Sequence, residues 1–254
     1  MMQQQVSRDA LADKVALVTG GGSGIGACTA TQLGELGATI VVAGRREAPL
    51  NAVVSEIVEA GGIAWAHPVD VTEEAAVDDL VSAVTDRFGG LHLAVNCAGD
   101  GHMSELVETE AASFDHVMRV NAYGTFYTMR AELRAIEASG GGAIVNVSST
   151  AGVRGFPHLS AYCAAKHAVV GMTRSVALEA AGRGVRVNAV APGTTATELL
   201  DRLPSDARQA MADACTLQRL GRPEEIAESI VYLLTRASYS TGLILAVDGG
   251  SPYS

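Results

Sequence analysis

The 254-residue chain has only four cysteines, Cys28, Cys97, Cys163 and Cys215, scattered and with no Cys-x-x-Cys pair. That excludes a thiolate metal site and a disulfide framework, and leaves reduced, packed thiols as in a cytoplasmic protein. Basic residues are also short, with 18 Lys and Arg against 28 Asp and Glu and a net charge of −10. Such an acidic balance argues against nucleic acid or an anionic membrane surface as a general partner. No run approaches the roughly eighteen apolar residues of a membrane span. The polar stretch from Met1 to Lys14 lacks the apolar core of a signal peptide. No linker, internal repeat or low-complexity tract interrupts the chain, and its 48% hydrophobic content suits one large buried core.

What the chain does have is alternation. Short apolar, β-branched runs fall at Val15 to Thr19, Thr39 to Ala43, Ile63 to Pro68, Leu91 to Asn96, Ala143 to Ser148, Val185 to Val190 and Leu243 to Val247. Helix-length patterns separate them, as in Ile25 to Leu36, where Ile25, Thr29, Leu33 and Leu36 share a face and Gly37 offers a stop. Strands that are apolar throughout are buried on both faces, which implies a parallel sheet with helices on each side. The expected architecture is an α/β fold: a polar extension over residues 1–13, then one doubly wound domain over 14–254 with about seven strands.

The first strand runs into Thr19-Gly20-Gly21-Gly22-Ser23-Gly24-Ile25-Gly26 and then a helix. Glycines here let backbone N–H groups approach a pyrophosphate, which the helix N-terminus also attracts. A purely structural turn would use the same residues, but the position between strand and helix is that of a Rossmann-type dinucleotide site. The second strand ends at Ala43-Gly44-Arg45-Arg46. An acidic residue that would hydrogen-bond the ribose of NAD is missing, and two guanidinium forks suit a 2′-phosphate. This points to NADP(H), with NAD(H) as the alternative; the two arginines could also simply decorate a surface turn.

Tyr162 precedes Lys166 by four residues, about one helical turn, so phenol and ammonium project from the same face. A cation there is expected to draw the tyrosine pKa down from about 10, tuning it for proton transfer between an alcohol and a carbonyl. A solvated Tyr/Lys stripe would show the same spacing. Ser149 lies thirteen residues upstream, where Ser148 to Thr150 could also merely end a strand.

Taken in order, these motifs resemble the short-chain dehydrogenase/reductase family, in its short, single-domain, 3-oxoacyl-carrier-protein-reductase-like branch. The likeness runs from about Lys14 to Gly250. Gly20, Ser23, Gly24, Ile25 and Gly26 match the glycine-rich loop, and Asp70-Val71 the pair against the adenine. Asn96-Cys97-Ala98-Gly99 matches an Asn-Asn-Ala-Gly motif, with Cys97 in place of the second asparagine. Pro192, Gly193, Thr195 and Thr197 resemble the segment that holds the nicotinamide carboxamide. Gly221 to Glu225 and Thr241 to Gly250 complete the match.

The resemblance implies catalysis by Asn121, Ser149, Tyr162 and Lys166, with no metal. Tyr162 is the expected acid/base, Ser149 the donor to the reacting oxygen, Lys166 the ligand of the ribose hydroxyls, and Asn121 part of a water-linked proton relay. Asn121 could equally serve only its local backbone. The implied reaction is hydride transfer between NADP(H) or NAD(H) and a small secondary alcohol or ketone, in a homotetramer or a dimer. Enoyl reductases of the superfamily space tyrosine and lysine more widely. The alternative is a catalytically silent NADP(H)-binding sensor or scaffold. A lid over residues 194–217, with Leu199, Leu200, Leu203, Met211 and Leu217 beside Glu198, Asp201 and Arg202, carries no aromatic residue and favours a moderately apolar substrate. His102 and His158 fall on loops expected to flank the pocket; Trp65, His92 and His116 read as packing or surface residues.

Overall fold

The computed structural model describes residues 10–201 and 204–250. Residues 1–9 of the expected extension, and Arg202 and Leu203 of the lid, lie outside the described residues. The packed domain starts before residue 14, since Leu11 is buried and its N–H donates to the Leu36 carbonyl at 2.8 Å.

Every apolar run becomes a strand: β1 Val15–Thr19, β2 Thr39–Gly44, β3 Ile63–Pro68, β4 Leu93–Asn96, β5 Gly142–Val147, β6 Val185–Pro192 and β7 Ile244–Val247. All pair in parallel, in the order β3-β2-β1-β4-β5-β6-β7. Parallel neighbours need crossovers, and the helices supply them. These are α1 Gly24–Glu35, α2 Glu47–Glu59, α3 Glu74–Phe88, α4 Ala111–Met118, α5 Gly124–Ala138, α6 Ser160–Ala180, α7 Glu198–Asp201, α8 Ser205–Asp213 and α9 Pro223–Thr235. A single π-helical turn, Arg119–Tyr123, joins α4 to α5.

Burial follows the strand chemistry. The inner strands β1 and β4 are buried at every residue, while the edge strands β3 and β7 are partly exposed. One face packs Leu33, Leu50, Ile57, Ile226 and Ile230 from α1, α2 and α9. The other packs Val77, Leu80, Met129, Ile136 and Ala177 from α3, α5 and α6. A third, smaller cluster of Val117, Ala122, Ala161 and Ala165 fixes α4 and the π turn against α6. β6 runs two residues past the expected end because Pro192 still pairs with Val247; at a strand terminus its missing N–H costs little.

The sequence order reverses between β1 and β4, so a crevice opens at their C-terminal ends. Residues 221–225 turn out to serve a helix start. Pro223 opens α9, the Arg222 N–H donates to Glu225 Oε2 at 2.8 Å, and Arg219 grips both Glu225 oxygens at 2.7 and 2.8 Å.

Arg186 ties β6 to the far end of α9. Its Nη1 donates to the carbonyls of Leu233 and Ala237 at 2.7 and 3.0 Å, and its Nη2 to that of Leu234 at 2.7 Å. Arg186→Met removes these charge-assisted bonds and leaves the carbonyls without them, at an expected cost of about 2–4 kcal/mol. Urea unfolding should show a lower midpoint at unchanged slope; a shift below about 0.5 kcal/mol would mean that water replaces the guanidinium.

Candidate active site

Two turns meet at the mouth of the crevice. Gly20 has φ of +66°, and a Cβ there would lie 2.7 Å from the Ala98 nitrogen. Only glycine lets the loop after β1 close onto the turn after β4. Ser23 precedes α1 without a side-chain cap hydrogen bond, leaving first-turn N–H groups for an anion. Thr197, from the start of the lid, comes to within 3.1 Å of where a Gly24 Cβ would stand. Thr195 is buried and its hydroxyl donates to the Gly193 carbonyl at 3.0 Å, and the Gly193 N–H donates to Val247 at 3.0 Å. Pro192 and Gly193 therefore end β6 at the same mouth. Gly20, Ser23, Gly24 and Ile25 thus line an open turn that could hold an anion, and Gly26 packs beneath it, against Gly20, with its N–H given to Cys97.

Directly after β2, Arg45 is exposed and Arg46 Nη2 meets Glu198 Oε2 of α7 at 2.7 Å. Asp70 Oδ1 accepts from the Thr72 N–H and hydroxyl at 3.0 and 2.9 Å, which fixes the turn after β3. Val71 is buried against the start of α5. Asn96 lies below this surface instead of on it. Its side chain is buried and donates to Glu132 Oε2 and Asn146 Oδ1 at 2.8 and 3.0 Å, so Ala98 and Gly99, not the Asn96 amide, are left open toward the crevice.

Of the two serines, Ser148 is buried and donates to the Lys166 carbonyl at 3.1 Å, tying β5 to α6. Ser149 is the more open; its Oγ accepts from the Ala151 N–H at 3.1 Å and hydrogen-bonds the Tyr162 phenol. Lys166 is buried, and its Nζ donates to the Val147 carbonyl at 2.9 Å. That nitrogen lies 5.6 Å from the centre of the Tyr162 ring and 3.4 Å from where a Gly99 Cβ would stand. Asn121 is fully buried in the π turn; its Nδ2 donates to the carbonyls of Asp100 and Val117 at 2.7 and 2.9 Å. Its Oδ1 has no protein partner and faces Gly99 from 2.9 Å beyond an absent Cβ. The structure thus brings Asn121, Ser149, Tyr162 and Lys166 around one point at the ends of β4 and β5.

The electrostatics correct the sequence expectation for the tyrosine. Burial pushes the Tyr162 phenol up to about 12; the Ser149 hydrogen bond opposes this, and Cys97, Cys163 and Asp100 reinforce it. Although Tyr162 is partly exposed as a residue, protein encloses its hydroxyl enough for desolvation to dominate. Burial likewise pulls the Lys166 ammonium down to about 8. Desolvation of an enclosed group is worth up to about 3–5 pKa units, more than a cation held on a strand carbonyl returns. The resting tyrosine is therefore a protonated acid. Cys97 is a neutral packed thiol, pushed up to about 11 by burial and accepting the Gly26 N–H.

Several residues near the site carry no motif. His116 is exposed, in keeping with the surface role expected of it, and its Nε2 contacts Asp100 Oδ2 at 3.1 Å. His102 is partly exposed on the loop after Gly99. His158 adopts φ of +63°, and its carbonyl accepts the Ser104 N–H at 2.9 Å, joining the two expected pocket loops. His92 is structural, its Nδ1 accepting the Val15 N–H at 3.1 Å, and Trp65 packs on His67 and Phe88. Glu132, beneath Asn96, was missed; its place on the buried stripe Thr125, Thr128, Met129, Glu132 and Ile136 was the available signal.

Among the described residues, no helix is long and apolar enough to cross a membrane, and no cluster of His, Cys, Asp or Glu could hold a metal ion. A family model described as enoyl-(acyl carrier protein) reductase matches residues 20–251. The chain is 41% identical to cyclohexanol dehydrogenase of Acinetobacter sp. (strain SE19), over 93% of this chain and 94% of that one. It is 42% identical to cis-4-hydroxycyclohexanecarboxylate dehydrogenase of Sinomonas cyclohexanicum, over 95% and 98%. Its fold matches the crystal structure of a short-chain type dehydrogenase/reductase from Mycobacterium marinum, with a TM-score of 0.91, 35% identity, and 95% and 96% coverage. With its seven-stranded doubly wound sheet and these relatives, the chain belongs to the short-chain dehydrogenase/reductase family.

Proposed function

We propose that the protein is an NADP(H)-preferring oxidoreductase that interconverts a small cyclic secondary alcohol and its ketone. The observation that carries this is the Ser149–Tyr162–Lys166 arrangement beside a glycine cradle at the switch point of the sheet. Bound there, the nicotinamide cofactor supplies or accepts the hydride. Gly20 to Gly26 and the start of α1 hold its pyrophosphate, and Arg45 and Arg46 its 2′-phosphate. Lys166 takes the ribose hydroxyls. Ser149 donates to the reacting oxygen, where charge develops. Tyr162, protonated at rest, gives its proton to that oxygen in reduction and takes one back in oxidation. Asn121 steadies Lys166 from the π turn as part of the proton relay.

Support for a ring substrate comes from the two cyclohexane-type dehydrogenases at about 40% identity and from a lid rich in leucine. The family description names an enoyl reduction, yet a tyrosine and lysine four residues apart suit carbonyl reduction instead. For the 2′-phosphate, Glu198 competes for the Arg46 fork, but an exposed ion pair offers only about 0–1 kcal/mol of resistance. We assign the protein to the cytoplasm, as a homotetramer without nucleic-acid or membrane partners.

Wild type should consume NADPH with cyclohexanone-type ketones, and Tyr162→Phe should cut turnover by about 1000-fold while nicotinamide binding stays within about three-fold. Tight NADPH binding with no turnover on any ketone would instead favour a sensor or scaffold. Arg46→Ala should raise KM for NADPH about ten-fold and leave KM for NADH unchanged; equal effects on both would remove the arginine from phosphate recognition.

A further inference from the structure

One fully enclosed ionisable group has no part in the chemistry above. Glu132 on α5 is 0% exposed. Its Oε2 accepts the Asn96 amide at 2.8 Å, while its Oε1 has no protein partner, and neither has Asn96 Oδ1. Asn96 Nδ2 also reaches Asn146 Oδ1 at 3.0 Å, and Asn146 Nδ2 donates to Thr173 Oγ1 at 2.9 Å. This chain of polar groups crosses the interior from α5 through β4 and β5 to α6.

No countercharge faces it among the described residues. On α5 itself, Arg130 turns outward to Glu74 and Asp78 of α3, and Glu137 meets Arg183. Arg186 of β6 is spent on carbonyls in the last turn of α9, and Lys166 of α6 on that of Val147. In the π turn, Arg119 and Tyr123 are exposed. A carboxylate enclosed with one amide donor and no cation is strongly disfavoured, so Glu132 is a neutral acid. An apolar residue in its place would leave the Asn96 amide one acceptor short.

What this network holds is the floor of the crevice. Asn96 ends β4; two residues on, Ala98 lies against Gly20, and Gly99 faces Asn121 Oδ1 and Lys166 Nζ. We propose that Glu132 is a positioning residue which, only in its acid form, holds the turn Cys97–Gly99 through Asn96 and so keeps the nicotinamide cofactor tightly bound. The inference rests on the nicotinamide reading above. Ionisation would set a charge in the apolar interior, break the amide chain and let the turn move. Burial pushes this carboxyl from about 4.5 up to about 8, so its contribution to stability is whole below about 4.5 and is lost as pH rises through about 8.

The test is a fluorescence titration of NADPH into wild type, Glu132→Gln and Glu132→Leu at pH 6.5 and 9.5, with circular dichroism and a thermal midpoint for each. Lys166 titrates in the same window, so the readout is the ratio of wild-type to Glu132→Gln Kd, which cancels it. That ratio should lie within about two-fold at pH 6.5 and reach at least about five-fold at pH 9.5. Glu132→Leu, if folded, should bind about ten-fold more weakly at both pH values; if it does not fold, the ratio alone decides. A ratio that stays flat with pH, or a folded Glu132→Leu that binds like wild type, overturns the proposal. Wild type that shows the ratio but reduces no ketone would sink the hydride-transfer reading alone. No binding of NADPH at either pH would overturn both.

Discussion

The site exists because β1 and β4 lie side by side while their outgoing connections leave for opposite faces of the sheet. Right-handed crossovers force that divergence in a parallel sheet, and it opens a crevice at the strand ends. What closes the gap enough to be useful is a backbone contact, Gly20 against Ala98, at a distance no Cβ tolerates. Every other feature is arranged relative to that contact. The N-terminus of α1 opens above it, Lys166 and Asn121 stand beside Gly99, and Thr197 reaches over Gly24. The rest of the sheet serves as a rigid frame for two adjacent strand ends.

Burial, more than pairing of charges, sets the protonation of the interior. It keeps the Tyr162 phenol and the Glu132 carboxyl neutral, and it brings the Lys166 ammonium near its titration point. In this state Tyr162 keeps its proton at rest.

Local pattern made most of the fold legible. The seven strands and the start of α1 rest on runs of β-branched residues and on glycine placement, both of which act within a few residues. The pairing of Tyr162 and Lys166 was equally legible, because one helix turn fixes it, whereas Ser149 reaches them from the loop after β5. The tyrosine's raised pKa was not, since it sums the surroundings contributed by distant strands and loops. Asn96 and Glu132 were illegible as a pair for the same reason. They are 36 residues apart, and only the packing of α5 on β4 brings them together. The contact of His116 with Asp100 was hidden in the same way, since only the fold brings α4 to the loop after β4. Residues 221–225, which the sequence offered only as part of the family likeness, have a local reason in the fold, since they cap the start of α9.

The π turn at Arg119–Tyr123 has an arithmetic consequence. It makes α4 and α5 one continuous rod carrying a surplus residue, and each residue turns a helix by about 100°. Removing the surplus would straighten the hydrogen bonding locally, yet rotate the whole of α5 by that angle about its axis. Thr128, Met129, Glu132 and Ile136 would then leave the sheet together, and exposed neighbours would come to face it. The bulge is thus a phase setting: it lets one rod present Asn121 to the crevice and Glu132 to the interior, which a regular helix in this place could not do at once.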